Sequence, residues 1–199
     1  MDLHTSTFEL VRRFQNGDEN AFSLIFRKYQ RRLAVLVHYK MSADLRSRME
    51  VDDILQVVFF AAARSLDRFN YQTPGSLMAW LSRLADNAIV DAARFENREK
   101  RRAEEFLMFR SEINPQGVEP VDFETPSRVF ARNETIDRLL HSLDALPAAY
   151  RHAILFAKFE GLTTSELAER IGKSREDASL LLHRALKRFR ELEQAPETK

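Results

Sequence analysis

The sequence predicts an all-α protein made of two small helical domains joined by a flexible acidic linker. Apolar residues recur every three or four positions along most of the 199 residues, which is the helical spacing, and no alternating strand pattern is evident. Only five glycines and six prolines occur. Three of the prolines and one glycine fall between residues 106 and 128, where no sustained apolar stripe runs. We therefore expect a first domain over 1–105, a linker over 106–128 and a second domain over 129–199.

Four helices are expected in the first domain. The first carries Phe8, Val11 and Phe14 and ends at Asn16-Gly17, and the second has an apolar stripe from residue 22 to residue 37. The third begins near Asp52. These three helices supply most of the apolar residues from which a core can form.

The segment FNYQTPGS separates the third helix from the fourth. Pro74 and Gly75 favour a turn, and Ser76 can cap the helix LMAWLSRLADNAIVDAARF that follows. In the second domain a leucine-rich helix precedes Pro147, and a helix around Tyr150 to Phe159 precedes a turn at Gly161. Two closely joined helices then run to about residue 192.

Composition excludes several classes of protein. Hydrophobic residues make up 44% and charged residues 31%, a globular balance. No apolar run approaches a membrane span, and the N-terminus lacks the layout of a signal peptide, so we expect a cytoplasmic protein. Zero cysteines and five histidines without ligand spacing give no metal site, and we expect no cofactor and no small-molecule substrate.

The net charge of +1 conceals a segregated pattern. Residues 94–102 and 183–190 are basic, whereas residues 103–127 are acidic. Basic segments on either side of an acidic connector suit a nucleic-acid-binding protein, although solvated helix faces and a solvated linker would give the same pattern.

The pattern GLTTSELAERIGKSREDASLLLHRALKRFREL predicts a helix-turn-helix. Thr163 and Glu166 can form a capping box, Gly172 supplies the turn, and Ser174 with Asp177 can cap the second helix. The pair buries one apolar face, which includes Leu167, Ala168 and Ile171 on its first helix and Ala178, Leu182, Ala185 and Phe189 on its second. The exposed face would carry cations, as a helix in the DNA major groove does, although an ordinary helical hairpin with a basic face stays possible.

The same stretch resembles region 4 of the extracytoplasmic-function (ECF) sigma factors. Three upstream segments resemble region 2 of that family, in the same order: LVRRFQNGDENAFSLIFRKYQRRL, VDDILQVVFFAAARSLDRF and the run from Ala79 to Asn87. The resemblance covers roughly residues 8–102 and 133–192. It implies a non-enzymatic protein that binds core RNA polymerase and directs it to promoter DNA.

The resemblance implies contacts for the first domain. The third helix would dock on the clamp helices of the largest polymerase subunit through Asp52, Asp53, Gln56 and Phe59. Asn70 to Ser76 would form the loop that captures a base flipped out of the −10 element. The residues implied in −10 binding are Asn70, Tyr71, Ser76, Trp80, Arg83, Asn87, Arg94 and Arg98. Trp80 shares a helical stripe with leucines, which favours a core position over a base-stacking one.

The resemblance also implies that the second helix of the helix-turn-helix reads the −35 element. Its candidates are Arg175, Glu176, Ser179, Leu180, His183, Arg184 and Lys187. Ser179-Leu180-Leu181 stands where the family commonly has Lys-Ser-Arg, and Val57-Val58 stands where it has Glu-Thr. The implied partners are core polymerase, including the flap of its second-largest subunit, and promoter DNA. The linker would run towards the active-site cleft of the polymerase. The resemblance also allows an anti-sigma factor as a further partner.

Two other functions remain open on the residues alone. A helix-turn-helix regulator that does not bind polymerase would use residues 8–102 as an effector domain. An all-α magnesium-dependent nucleotide hydrolase would need Asp52, Asp53, Asp86 and Asp91 to converge on one metal, and Asp86 and Asp91 do not share a helical face.

Overall fold

The computed structural model describes residues 6–98 and 134–194, and these residues form helices and turns with no strand. We refer to residues 6–98 as the N-terminal unit and to residues 134–194 as the C-terminal unit. The helices of the N-terminal unit are α1 (Thr7–Gln15), α2 (Asn20–Lys40), α3 (Ala43–Arg46), α4 (Val51–Ser65) and α5 (Ser76–Arg98). Those of the C-terminal unit are α6 (Glu134–Asp144), α7 (Ala148–Ile154), α8 (Thr164–Ile171) and α9 (Arg175–Gln194).

Local capping and turn chemistry explains how α1 begins and ends. The Ser6 hydroxyl accepts a hydrogen bond from the Glu9 amide at 3.2 Å, which satisfies one free N–H at the start of the helix. Gly17 follows the helix with φ of +91°, in the left-handed region that favours glycine. The predicted end of the first helix at Asn16-Gly17 is confirmed.

Helix α2 forms the centre of the N-terminal unit, with α1, α4 and α5 packed around it. Its apolar stripe is buried almost throughout, and Leu33, Ala34 and Val35 have no exposed surface. The ring of Phe26 lies 4.4 Å from that of Phe59 on α4, edge to face. Burial of such side chains is the main free-energy gain that holds the bundle together.

The short helix α3 is absent from the sequence prediction. It has four residues and one buried side chain, Leu45, so it is too short to show a helical period. Its only sequence signal is Ser42, whose hydroxyl accepts from the Leu45 amide at 3.2 Å.

In the C-terminal unit, α7 continues into one π-helical turn, Leu155–Glu160, which ends at Gly161 with φ of +86°. The sequence predicted a single helix here, and the break at Gly161 is confirmed. Helix α9 is the longest of this unit, and it packs against α6, α7 and α8.

One hydrophobic cluster contains buried residues of both units, and a second, smaller one contains Leu167, Ala168 and Ala178 of the helix-turn-helix. Ile136, Leu143 and Ile154 of the C-terminal unit join the cluster built around α2. The linker prediction over 106–128 and the start of the second domain near Val129 lie outside the described residues, and the division into domains stays a prediction. Across residues 6–98 and 134–194, no helix has both the length and the hydropathy of a membrane span.

Candidate polymerase and promoter contact surfaces

Four residues of α4 were expected to form a docking surface, and they have different environments. Asp52 is 2% exposed and Phe59 is 5% exposed, so both lie in the core. Asp53 is exposed and Gln56 is half-buried. The expectation of an exposed patch that includes Asp52 is therefore wrong, and only Asp53 and Gln56 present polar groups at the surface.

The sequence contained a signal for the burial of Asp52. Residues 52, 55, 59 and 62 are spaced by three, four and three, so they lie on one face of a helix. Leu55, Phe59 and Ala62 on that face are all buried, and Asp52 is at its first position. Spacing therefore predicts its burial better than charge does.

Asp53 has a local structural role in addition to its exposure. Its Oδ2 accepts a hydrogen bond from the Glu50 backbone N–H at 3.3 Å, and Glu50 accepts in return from the backbone N–H of Asp53. This reciprocal pair is the capping box of α4.

The loop between α4 and α5 is held in shape by Ser76. Its hydroxyl accepts from the backbone N–H groups of Gln72 and Thr73 at 3.3 and 3.4 Å and donates to the Thr73 carbonyl at 2.8 Å. Ser76 therefore stabilises the loop from within. Asn70 is exposed and Tyr71 half-buried, and burial raises the pKa of the Tyr71 hydroxyl.

Gln15 of α1 fixes the start of the same loop, and the sequence gave no indication of it. Its side-chain amide donates to the backbone carbonyls of Leu66, Asp67 and Phe69, at 3.2, 3.3 and 2.8 Å. These carbonyls lie where α4 and the 3₁₀ turn Leu66–Arg68 end, and the Leu66 carbonyl also accepts from the Phe69 backbone N–H at 3.2 Å. The contacts span more than 50 residues of sequence, which no local pattern can reveal.

Aromatic side chains form a row beside the loop. The rings of Phe8 and Tyr71 lie 5.6 Å apart, those of Phe69 and Tyr71 6.5 Å, and those of Phe69 and Trp80 4.9 Å. Trp80 is half-buried against the core, and Phe8 is 50% exposed. We did not anticipate Phe8, because its spacing with Val11 and Phe14 is that of a core stripe.

Beyond the loop, helix α5 has exposed polar residues. Arg83, Asn87 and Arg94 are exposed, and their spacing of four and seven puts them on one helical face. Arg94 pairs with Asp91 at 3.6 Å. Arg98 belongs to α5, but its side chain and the cations at 101 and 102 lie outside the described residues.

The helix-turn-helix has the predicted capping chemistry. The Glu166 carboxylate accepts from the Thr163 backbone N–H at 2.7 Å, and the Thr163 hydroxyl accepts from the Glu166 N–H at 3.3 Å. The Thr163 hydroxyl also donates to the Glu166 carboxylate at 2.8 Å, and this bond and the one from the Thr163 backbone N–H lower the pKa of Glu166. Gly172 makes the turn with φ of +65°, and Ser174 accepts from the Asp177 N–H at 3.0 Å.

Helix α9 has one buried face and one exposed face. Ala178 and Ala185 are fully buried, and Leu182 and Phe189 are half-buried, as the spacing predicted. All seven residues expected to read the −35 element are exposed, and Leu180 keeps 48% of its surface accessible. The exposed face thus joins the cations Arg175, Arg184 and Lys187 to one large apolar side chain.

Comparison with known proteins covers both the N-terminal unit and the C-terminal unit. The model of the ECF sigma factor family matches residues 4–194, which include both units. The chain belongs to the ECF sigma factor family. It is therefore a sigma factor, the kind of protein that joins core RNA polymerase and directs it to promoter DNA. Sigma factors are regulatory proteins of transcription.

Relatives of known name are of the same kind. The chain is 28% identical over 160 residues to the ECF RNA polymerase sigma-E factor of Haemophilus influenzae, covering 80% of each protein. It is 29% identical over 165 residues to the RNA polymerase sigma-H factor of Pseudomonas aeruginosa, covering 80% of this chain and 79% of that protein. The sigma-E factor of Escherichia coli K12 is 28% identical over 160 residues, with 80% and 79% covered.

Two solved structures resemble the chain more distantly. CnrH in complex with the cytosolic domain of CnrY has a TM-score of 0.40 and 23% identity, covering 92% of this chain and 94% of that chain. The RsbN–BldN complex has a TM-score of 0.34 and 18% identity, with 92% and 98% covered. At these TM-scores the likeness says nothing about partners or about how the units are arranged.

Proposed function

We propose that this ECF sigma factor contacts polymerase through α4, the −10 element through the loop before α5, and the −35 element through α9. The observation that carries the proposal is that one chain holds both an aromatic-lined loop and a helix-turn-helix whose cationic face is exposed. A helix-turn-helix alone occurs in many regulators. A separate surface that suits single-stranded DNA, in addition to the helix-turn-helix, favours a protein that also opens the duplex.

The polymerase contact rests on Asp53 and Gln56. Both lie on the accessible part of α4, one turn apart, beside the half-buried Val57. An acidic and amide surface next to an apolar strip complements a basic, amphipathic partner helix. Asp52 and Phe59 support this surface from the core.

The −10 contact rests on the loop and its aromatic neighbours. Extruding a base from the duplex costs a few kcal/mol, which stacking on aromatic rings and polar contacts to the base edge can offset. Tyr71 offers a ring and Asn70 an exposed amide, while Ser76 keeps the loop in shape. Arg83, Asn87 and Arg94 then follow the phosphates along α5.

The −35 contact rests on the first turns of α9. The N-terminal residues of a recognition helix meet base edges, and its later cations hold phosphate. Arg175 and Ser179 lie in the first turns of α9, where base edges are within reach. Arg184 and Lys187 lie in its later turns, where they can hold phosphate. Leu180 can touch thymine methyl groups, and an apolar, exposed residue there also suits an inhibitory protein partner.

Further parts of the proposal rest on composition. The acidic residues of 103–127 would occupy the cation-lined path between promoter and active site, where they imitate nucleic acid. The protein would act in the cytoplasm, where polymerase and DNA are found. The residues it uses require no metal or cofactor.

The test is transcription in vitro with purified core polymerase, followed by mapping of the start sites. We expect start sites at a shared pair of −10 and −35 motifs, and co-purification with core polymerase in the absence of DNA. Binding to DNA without any binding to core polymerase would instead support the regulator function.

A further inference from the structure

One face of α1 lies along the loop between α4 and α5. Residues 8, 12 and 15 are spaced by four and three, so they share a side of the helix. At one end of this face the Phe8 ring lies 5.6 Å from the ring of Tyr71. At the other end the Gln15 amide holds the backbone carbonyls that precede the loop. The face therefore borders the surface proposed for the −10 element without belonging to the loop.

Phe8 is exposed although its position in the helix is fixed. The Ser6 hydroxyl caps the helix just before it, and the hydroxyls of Thr7 and Tyr29 are hydrogen-bonded at 2.8 Å in the core. Phe8 nevertheless keeps 50% of its surface accessible. In residues 6–98 and 134–194 it is the only exposed phenylalanine, tyrosine or tryptophan. A ring held in this way is preorganised for a partner, because it loses little conformational freedom when the partner binds.

Phe8 and Tyr71 cannot stack on the same base. Their ring planes are inclined by 59° and their centroids are 5.6 Å apart. A base sandwiched between two rings needs about 7 Å, which is twice the spacing of stacked bases. Neighbouring nucleotides of one strand are about 3.4 Å apart when stacked and farther apart when the strand is extended. The exposed face of Phe8 is therefore within reach of a base next to one that contacts Tyr71.

Arg12 adds a cation to the same face. It is exposed and follows Phe8 by one helical turn. Its neighbour Arg13 is paired with Asp18 at 2.7 Å, so that charge is compensated within the protein. Glu9 follows Phe8 by one position and therefore lies off this face. An aromatic ring beside a cation is the pattern with which proteins hold single-stranded nucleic acid.

We propose that Phe8 and Arg12 form a second base subsite on α1. Phe8 stacks on the unpaired non-template base next to the one that the loop captures, and Arg12 holds the phosphate between the two nucleotides. The proposal rests on the proposed −10 contact and extends it to a helix outside the loop. A ring and a cation bind the stacking face and the phosphate, so this subsite accepts any base.

The test is a double-mutant cycle between protein and DNA. Holoenzyme assembled from the full chain and core polymerase is titrated with a fluorescently labelled single strand that carries the −10 region of a mapped promoter. Each nucleotide of this strand is replaced in turn by an abasic one. Phe8→Leu keeps an apolar side chain and removes the ring, and Phe8→Tyr is the control that keeps the ring.

Phe8→Leu should bind the intact strand at least about fivefold more weakly than the parent, whereas Phe8→Tyr should bind like the parent. One abasic position, next to the captured base, should weaken binding by the parent and leave binding by Phe8→Leu unchanged. Abasic substitutions elsewhere should have equal effects on both proteins. A role of Phe8 in supporting Tyr71 alone would not couple it to one added base in this way.

Arg12 is tested by the salt dependence of binding to the intact strand. Arg12→Ala should reduce the slope of log affinity against log salt by about 0.7 units, the value for one phosphate contact to a single strand, and Arg12→Lys should restore the slope. Arg48→Ala is the matched control, because it removes an exposed cation from the turn after α3. An unchanged slope in Arg12→Ala would overturn the phosphate contact.

The second base subsite would be overturned if Phe8→Leu had the abasic profile of the parent, or lost affinity without coupling to any position. A loss of affinity for core polymerase in place of DNA would also overturn it, since Phe8 would then be a protein contact. Failure of the proposed −10 contact gives a different result. The parent holoenzyme would in that case bind the −10 strand no better than a strand of unrelated sequence.

Discussion

Asp52 and Asp53 are neighbours in the sequence with opposite environments, and this difference makes the polymerase contact testable one residue at a time. Asp53 is exposed, so Asp53→Lys should keep the fold, with a loss of about 1 kcal/mol of stability from the capping box, and should weaken binding of core polymerase by about 1 to 3 kcal/mol. Fluorescence titration with labelled protein measures this affinity. Asp53→Asn is the control, because it keeps an acceptor for the Glu50 N–H. Unchanged affinity of Asp53→Lys would remove Asp53 from the contact.

Position along α9 should divide the work of DNA binding between residues. Lys187 follows the first turns of the helix, so Lys187→Ala should weaken binding to all promoters equally and reduce the salt slope by about one unit. Arg175→Ala and Ser179→Ala should change which −35 sequences are preferred. A base-substitution scan at several salt concentrations measures both effects. A changed −35 preference in Lys187→Ala, with none in the other two, would contradict this orientation of the helix.

At the scale of helices, the sequence predicted most of the boundaries, because caps and glycine turns are local chemistry. The capping box of Thr163 and Glu166 and the turn at Gly172 are where their spacing predicted them. Contacts between distant segments were not predictable. The hydrogen bonds of Gln15 and the burial of Phe59 beside Phe26 depend on how helices pack, and a single sequence records that only as a stripe of apolar residues.

The capping box of α8 gives a pH-dependent contribution to stability. The pKa of Glu166 is lower in the folded protein than its ordinary value of 4.5, so the contribution is complete above that pH and is lost as the pH falls through the folded-state pKa. Glu166→Gln should flatten this part of the profile. Thr163→Ala should reduce the free energy of unfolding by about 1 kcal/mol at pH 7.

Urea unfolding between pH 3 and pH 7 measures both changes. Glu169→Gln is the control, since Glu169 is an exposed acid of the same helix outside the capping box. Identical pH profiles for Glu166→Gln and the parent protein would show that the charge of Glu166 contributes nothing to stability.

Helix α1 holds the start of the loop between α4 and α5 through one side chain, Gln15. Gln15→Ala should remove the side-chain hydrogen bonds to the Leu66, Asp67 and Phe69 carbonyls and make the loop less ordered, so promoter opening should fall severalfold while binding to a −35 duplex is retained. Opening is measured by the fluorescence of 2-aminopurine placed in the −10 element. Gln30→Ala, on α2, is the control. Equal loss of −35 binding in Gln15→Ala would indicate a general folding defect instead.

At the scale of the whole molecule, composition predicts how the two units are covalently connected, whereas the structure describes how they pack. Composition predicts a proline- and acid-rich connector between two helical units, whereas in the structure residues of both units, among them Leu36, Ile136 and Ile154, share one hydrophobic cluster. Covalent connection and packing can be separated by cutting the chain. The association of the pieces then depends on the contacts between the units alone.

Limited proteolysis should cut the free protein first between residues 106 and 127, since prolines, acids and the lack of an apolar stripe favour cleavage there. The two fragments should co-elute on gel filtration at about 100 μM protein and low salt, held by Tyr39, Lys40 and the shared apolar cluster. In about 1 M salt they should separate more readily, because a Debye length near 3 Å weakens the partly exposed ion pair of Lys40 with Glu160. Early cleavage within α2 or α9 would contradict the assignment of the connector. Fragments that separate at every salt and protein concentration would show that the packing of the two units is too weak to persist without the covalent link.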